Sequence, residues 1–151
     1  MTPPGTVLVA RTATVADAPL LAEMNHQLIR DEGHRNPMTQ PERAARMRAW
    51  LAGGYAAILF ERNGAPVAYA LYREAEDGIY LRQFFVARPE RRGGVGRQAM
   101  RMLLDEIWPP ARRVYVEVLA GNTTGAAFWK AFGFREYAIT LELDRPATAT
   151  G

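Results

Sequence analysis

FFVARPERRGGVGRQAM, Phe84 to Met100, runs from an apolar strand-like segment through four arginines and three glycines into a helix-like segment. A helix N-terminus presents several backbone N–H groups without intrahelical partners, and the aligned peptide dipoles make that end positive. Anions settle there, phosphate above all. Gly93, Gly94 and Gly96 permit a tight turn and a close approach by a bulky group, while Arg88, Arg91, Arg92 and Arg97 add charge, some of it with bidentate geometry. The stretch reads as a strand, loop and helix built to hold a ligand with two linked phosphates.

Downstream, Val95, Ala99, Met102, Leu103 and Ile107 recur at helical spacing until Pro109-Pro110 stops the helix. Val114 to Leu119 is a β-branched strand, so the crossover should be parallel and right-handed. Asn122 can cap a short helix holding Phe128 and Phe132 one turn apart, Gly133 is placed for its C-terminal cap, and a last strand is expected over about Phe134 to Leu143. Upstream, Val7 to Arg11 predicts a first strand. Thr14 to Asp17 has capping-box spacing before a helix carrying Leu20, Leu21, Met24 and Leu28, which ends near Gly33. Thr39 and Glu42 cap a second helix with Ala44, Met47, Trp50 and Leu51 inward. Tyr55 to Glu61 and Pro66 to Arg73 flank an Asn-Gly turn and predict an antiparallel hairpin, followed by a strand from Ile79 to Ala87. The order β, α, α, β, β, β, α, β, α, β predicts one mixed-sheet α/β (α+β) domain over 1–145, with 146–151 a short flexible tail.

Composition narrows the chemistry. The chain has 151 residues, no cysteine and no serine, so thiolate and serine nucleophiles are absent and a covalent acyl-enzyme on either is excluded. His26 and His34 are the only imidazoles and show no zinc spacing, so no metal is expected. No apolar run approaches the roughly 20 residues of a membrane span, and the N-terminus has neither a basic region nor an apolar core, so a cytoplasmic protein is expected. The net charge is +3, and of the 19 basic residues only Lys130 is lysine. The arginines are scattered, without a basic helix or arm. Solvated faces explain them, and a nucleic-acid partner is not expected.

Gly94-Val-Gly96-Arg-Gln-Ala99 also fits the dinucleotide fingerprint G-x-G-x-x-A, with Glu117 on the next strand. Against this, the glycines begin seven residues after Val86 instead of at the strand end, Glu117 falls inside a strand, and too little chain follows for a doubly wound sheet.

Arg91-Arg-Gly-Gly94-Val-Gly96 resembles the Q/R-x-x-G-x-G/A hallmark of the GNAT superfamily of acyl-CoA-dependent N-acetyltransferases, and NTTGAAFWKAFGF, Asn122 to Phe134, resembles its second motif. The element order is similar over nearly the whole chain. The resemblance implies a mixed sheet of roughly six to seven strands flanked by about four helices, with a splayed pair of parallel strands, ending near Ala87 and starting near Val114, that admits the pantetheine arm of acetyl-CoA. Backbone groups of Phe85 and Val86 would pair with that arm. The loop from Arg91 through Arg92, Gly93, Gly94, Val95 and Gly96 to Arg97 would hold the pyrophosphate, and Asn122 and Phe128 would lie by the distal cofactor. The Val86 N–H would receive the developing oxyanion.

The resemblance also marks departures. The position where the family often carries a tyrosine acid is Trp129, and Tyr80 stands where some members have a glutamate base. Tyr80 and His34 are the catalytic candidates, and Asp31, Glu32 and His34 the candidates for binding a cationic amine. The expected activity is acetyl transfer to a primary amine of a small molecule or peptide, in a protein for which a homodimer is compatible with the resemblance. A non-catalytic acyl-CoA-binding module, a nucleic-acid-binding domain and a dinucleotide-binding domain stay open.

Overall fold

The computed structural model describes residues 7–33 and 35–147. Among these, Val9–Thr12 forms β1, Ala18–Glu32 α1, Gln40–Ala52 α2, Ala56–Arg62 β2, Ala65–Ala75 β3, Gly78–Val86 β4, Val95–Met102 α3, Val114–Val116 β5 and Thr123–Ala131 α4. The strands lie in the order β1-β2-β3-β4-β5. Neighbours are antiparallel except β4 and β5, which are parallel as the crossover through α3 requires.

Local chemistry sets these elements. Thr39 and Glu42 form the expected capping box on α2, and Gly33, at φ +75°, closes α1 in the left-handed conformation. Asn63 and Gly64 both have positive φ, the turn whose twist matches a two-residue hairpin, so β2 and β3 pair as the Asn-Gly signal predicts. Side-chain alternation along β2 and β3 divides the interior into two cores. Ile58, Phe60, Ala68 and Ala70 face Val95, Ala99, Met100 and Leu103 on one side of the sheet. Ala57, Leu59, Tyr69 and Leu71 face Leu21, Met24, Leu28 and Met47 on the other.

Three expectations are corrected. First, β5 ends at Val116, not Leu119. Second, α3 ends at Met102 and continues as a π-type turn over Leu103–Ile107, closed by the Trp108 N–H donating to Leu103 O at 2.8 Å. Third, the expected last strand over Phe134 to Leu143 forms no ladder, so the sheet has five strands among the described residues. Tyr137 is 84% exposed and Leu141 90%. Alternation describes a pleated segment, but a strand exists only where another backbone completes its hydrogen bonds. Here the segment is tied at its start, where the Phe134 N–H donates to Trp129 O at 3.2 Å, and beyond that by side chains, among them Lys130 with Glu136 at 3.3 Å, Arg113 over the Tyr137 ring at 4.6 Å and the exposed Arg35–Glu142 ion pair at 2.9 Å. Of the expected tail, residues 148–151 lie outside the described residues.

Candidate active site

β4 pairs with β5 only through Ile79, Tyr80 and Leu81 against Val114, Tyr115 and Val116, whereas β4 itself runs on to Val86. The two strands therefore part beyond Leu81. A β-bulge lies at the point of parting: Tyr72 stands opposite Leu81 and Leu71 opposite Gln83, leaving Arg82 as the extra residue. Such a residue bends its strand and increases its twist. It also resets the alternation, so that Phe84 packs towards α4 and Phe85 among the residues under α1 and α2.

The same alternation orients the backbone. The Ala87 N–H donates to Val67 O at 2.8 Å, so the N–H and C=O of Val86, one residue back, point away from β3 into the gap. Val86 O accepts there from Arg91 Nε at 2.8 Å. Phe85 is in register with Tyr69 and directs its own N–H and C=O to β3, which is a correction for Phe85. Of the two residues expected to offer backbone to a cofactor arm, only Val86 faces the gap.

The loop follows at once. After a turn over Arg88–Glu90, Arg92 adopts φ +66° and Gly94, at φ +84°, is the N-cap of α3. The first capping bond is Gln98 N–H to Gly94 O at 2.9 Å. No amide N–H from Arg92 to Arg97 makes a hydrogen bond with another described group, which leaves a row of donors at the positive end of α3. Gly93 and Gly94 shape that turn. Gly96 has a different role: a Cβ on it would lie 3.2 Å from Cε2 of Phe128 and 3.5 Å from Cγ2 of Val86, so its bare Cα lets Phe128 seat against the loop. Phe128 in turn stacks on Phe84, with ring centroids 6.0 Å apart.

Asp31 ties this loop to α1. Its carboxylate accepts from Arg88 and, at 2.5 Å, from Arg91. Burial raises the Asp31 carboxyl, but the hydrogen bonds from Arg88 and Arg91 outweigh it and hold the group below its usual value. The sequence makes Asp31 a candidate for binding a cationic acceptor, but its carboxylate is taken by the loop, because the end of α1 packs against the start of that loop. Arg92 and Arg97 remain as loop cations without an ion pair among the described residues, and Arg97 lines a shallow cleft with Arg101 and Phe132.

The other candidates divide. Tyr80 stacks on Tyr115 at 5.2 Å. Burial first, and then the neighbouring Glu117 carboxylate, push its phenol up to about 12, so at neutral pH it stays protonated and is not a base. Asn122 caps α4 by accepting from the Gly125 N–H at 3.0 Å, and its Nδ2 donates to Glu32 at 3.5 Å. Gly125 has to be glycine for this, since a Cβ there would lie 2.4 Å from the Asn122 amide. Trp129 meets Phe84, Phe128 and Phe134 edge-on and belongs to the aromatic packing. His34 lies outside the described residues. Among the described residues no group of three or more His, Cys, Asp or Glu is placed to hold a metal.

Searching curated proteins finds no match. Solved structures do match in fold. An acetyltransferase from Thermus thermophilus superposes with a TM-score of 0.72 at 23% identity, covering 88% of this chain and 90% of that one. The aminoglycoside N-acetyltransferase AAC(6')-Iy in complex with CoA gives 0.72 at 17% identity, covering 96% and 99%. A predicted acetyltransferase from Clostridium acetobutylicum with acetyl-CoA gives 0.70 at 18%, covering 91% and 96%. Residues 22–134, which hold the splayed strands, the glycine-arginine loop and the Asn122 helix, match the Acetyltransferase (GNAT) family, and the chain belongs to that family.

Proposed function

We propose that this protein is an acetyl-CoA-dependent N-acetyltransferase that passes the acetyl group directly to a primary amine of a small molecule or peptide. One observation carries this: β4 and β5 separate after Leu81, with the Val86 N–H directed into the gap and the free amides from Arg92 to Arg97 at its end. A pyrophosphate fits those amides, and an extended pantetheine arm fits the gap. The CoA and acetyl-CoA complexes among the structural neighbours support the same choice of acyl donor.

The chemistry follows from the groups present. An alkylammonium, with a pKa of about 10, first gives a proton to solvent or to a carboxylate. Glu117, a neighbour of the Tyr80 hydroxyl and the residue after the last paired position Val116, is placed for that role. The neutral nitrogen attacks the thioester carbonyl carbon; a C–N bond forms, and the Val86 N–H stabilises the negative charge on oxygen. The C–S bond then breaks and the nitrogen loses its remaining extra proton. Trp129 supplies no acid. A thiol has a pKa of about 8.5, so the thiolate departs unaided and takes its proton afterwards.

Incubating the protein with acetyl-CoA and a panel of amines while titrating released thiol tests the assignment. Release that depends on an amine is expected. CoA binding with no release for any amine would overturn it in favour of a non-catalytic acyl-CoA-binding module, and an acylated protein formed without acceptor would overturn direct transfer.

A further inference from the structure

The face of the sheet beside α2 carries three arginines that form no ion pair among the described residues. Arg46 and Arg82 both lie over the Trp50 ring, at 4.6 and 4.7 Å from its centroid. Arg82 also donates to the Tyr55 hydroxyl at 3.3 Å, and Arg73 lies over the rings of Tyr55 and Tyr80. Several arginines elsewhere find carboxylates: Arg11 with Asp17, Arg62 with Glu90, Arg88 and Arg91 with Asp31. Arg46, Arg73 and Arg82 have none among the described residues. Two guanidinium groups on one indole repel each other, and the Arg46 pKa is drawn down, by burial first and then by Arg82. Arg46 donates one N–H to Asn25 Oδ1 at 2.8 Å and Arg82 one to Tyr55, while the aromatic faces hold the guanidinium planes and leave the remaining N–H groups of Arg82 and Arg73 for a ligand.

This charge lies where the acceptor has to arrive. Leu81 and Val116 are the last residues paired between β4 and β5, so Arg82 and Glu117 flank the first opening of the gap, on strands roughly 5 Å apart at that point. Tyr80 and Tyr115 form an aromatic floor beside them. A polycation meets three arginines and one glutamate here.

We propose that the acceptor amine also carries an oxyanion, a carboxylate or a phosphate, which Arg82 and Arg73 hold while Glu117 receives the ammonium end. This rests on the acetyltransferase assignment above and names its substrate class as a small zwitterionic amine, in contrast to the polycationic acceptors of an aminoglycoside acetyltransferase. Planar guanidinium edges match either oxyanion. Arg82 and Glu117 each follow the last paired residues of neighbouring strands, a placement that suits compounds in which amine and anion are a few bonds apart.

The test compares matched pairs: phenylalanine against 2-phenylethylamine, 4-aminobutyrate against butylamine, and O-phosphoethanolamine against ethanolamine, with spermidine as the polycation. At least one anionic member should exceed its partner by tenfold or more in kcat/KM, and whether the carboxylates or the phosphate do so identifies the oxyanion. Arg82→Glu and Arg73→Glu should each raise KM for that substrate at least tenfold while CoA affinity holds; Arg73 is exposed, so its variant reads the same contact if Arg82→Glu folds poorly. Equal use of the matched pairs, or preference for spermidine, overturns the proposal and leaves the acetyltransferase assignment standing. If CoA binds and no amine is acetylated, it is that assignment which fails. Ligand-observed NMR of phenylalanine and O-phosphoethanolamine with the wild-type protein and both variants then decides the face by itself: binding lost in the variants supports it, and no binding to the wild type overturns it.

Discussion

Substitutions at Gly94 separate backbone strain from charge at the glycine-arginine loop. Gly94 has φ +84° and ψ 2°, and a Cβ built on it meets no atom within 4 Å. Alanine therefore costs only the left-handed conformation, about 1–2 kcal/mol, or roughly 2–8 °C in melting temperature for a domain of this size. Glutamate carries the same strain and adds a carboxylate at the N-terminus of α3. At about 6 Å from a phosphate charge, with an effective dielectric between roughly 20 and 80, the repulsion is about 0.7–3 kcal/mol. CoA should thus bind Gly94→Glu some threefold to 150-fold more weakly than Gly94→Ala, to a first approximation (~1.4 kcal/mol per tenfold). Calorimetric titration with CoA measures the difference, which should shrink as salt is added. Circular dichroism melts check that the two variants lose similar stability. Equal CoA affinity in the alanine and glutamate variants would refute the placement of the pyrophosphate at this loop.

Gly96→Ala should destabilise the fold by about 1–3 kcal/mol through crowding, because the new methyl meets the Phe128 ring at 3.2 and 3.3 Å. Adding Phe128→Leu should recover part of the loss in urea unfolding, and strictly additive effects would show that the two positions do not touch. Tyr80→Phe keeps the ring on Tyr115 and removes the hydroxyl that neighbours Glu117. It should lower kcat by roughly tenfold or more and shift its pH profile at unchanged CoA affinity; an unaltered profile would remove Tyr80 from the chemistry. Tyr69 is buried and donates to Gln83 Oε1 at 2.9 Å, and burial raises its pKa. The unfolded chain releases that proton near pH 10 (~10) while the native protein keeps it, so stability is full below that pH and falls as pH rises above it. Tyr80, raised to about 12, contributes in the same direction. Tyr69→Phe should flatten this alkaline fall in urea midpoints, and an unchanged slope would show that Tyr69 does not drive it.

Much of the site was legible because its signals are local. Backbone amides at a helix start need glycine and cations within a few residues of one another, so Phe84 to Met100 announces an anion site by spacing alone. The capping boxes, the Asn-Gly turn and the Asn122 cap are equally local, and α2, the β2–β3 hairpin and α4 appear where that chemistry predicts them. Gly96 by its place in the loop gives room for a bulky ligand, and it is also room for Phe128, a residue remote in sequence.

The remainder depends on which segments meet. Nothing around Asp31 shows that its carboxylate will be claimed by Arg88 and Arg91, since that pairing exists only once α1 lies against the loop. A one-residue bulge at Arg82 cannot be seen in an alternating strand, yet it lies where β4 parts from β5 and turns Phe84 and Phe85 to their present faces. The apolar alternation from Phe134 to Leu143 is real in sequence, but ladder hydrogen bonds require a neighbouring backbone, and in the described chain that segment has none. Sequence by itself determined the order of the elements and the anion-binding turn, because both follow from residues close together in the chain. Tertiary structure alone decided which arginines are neutralised and which stay free, because the charge on a guanidinium is offset only by the carboxylate that folding places beside it.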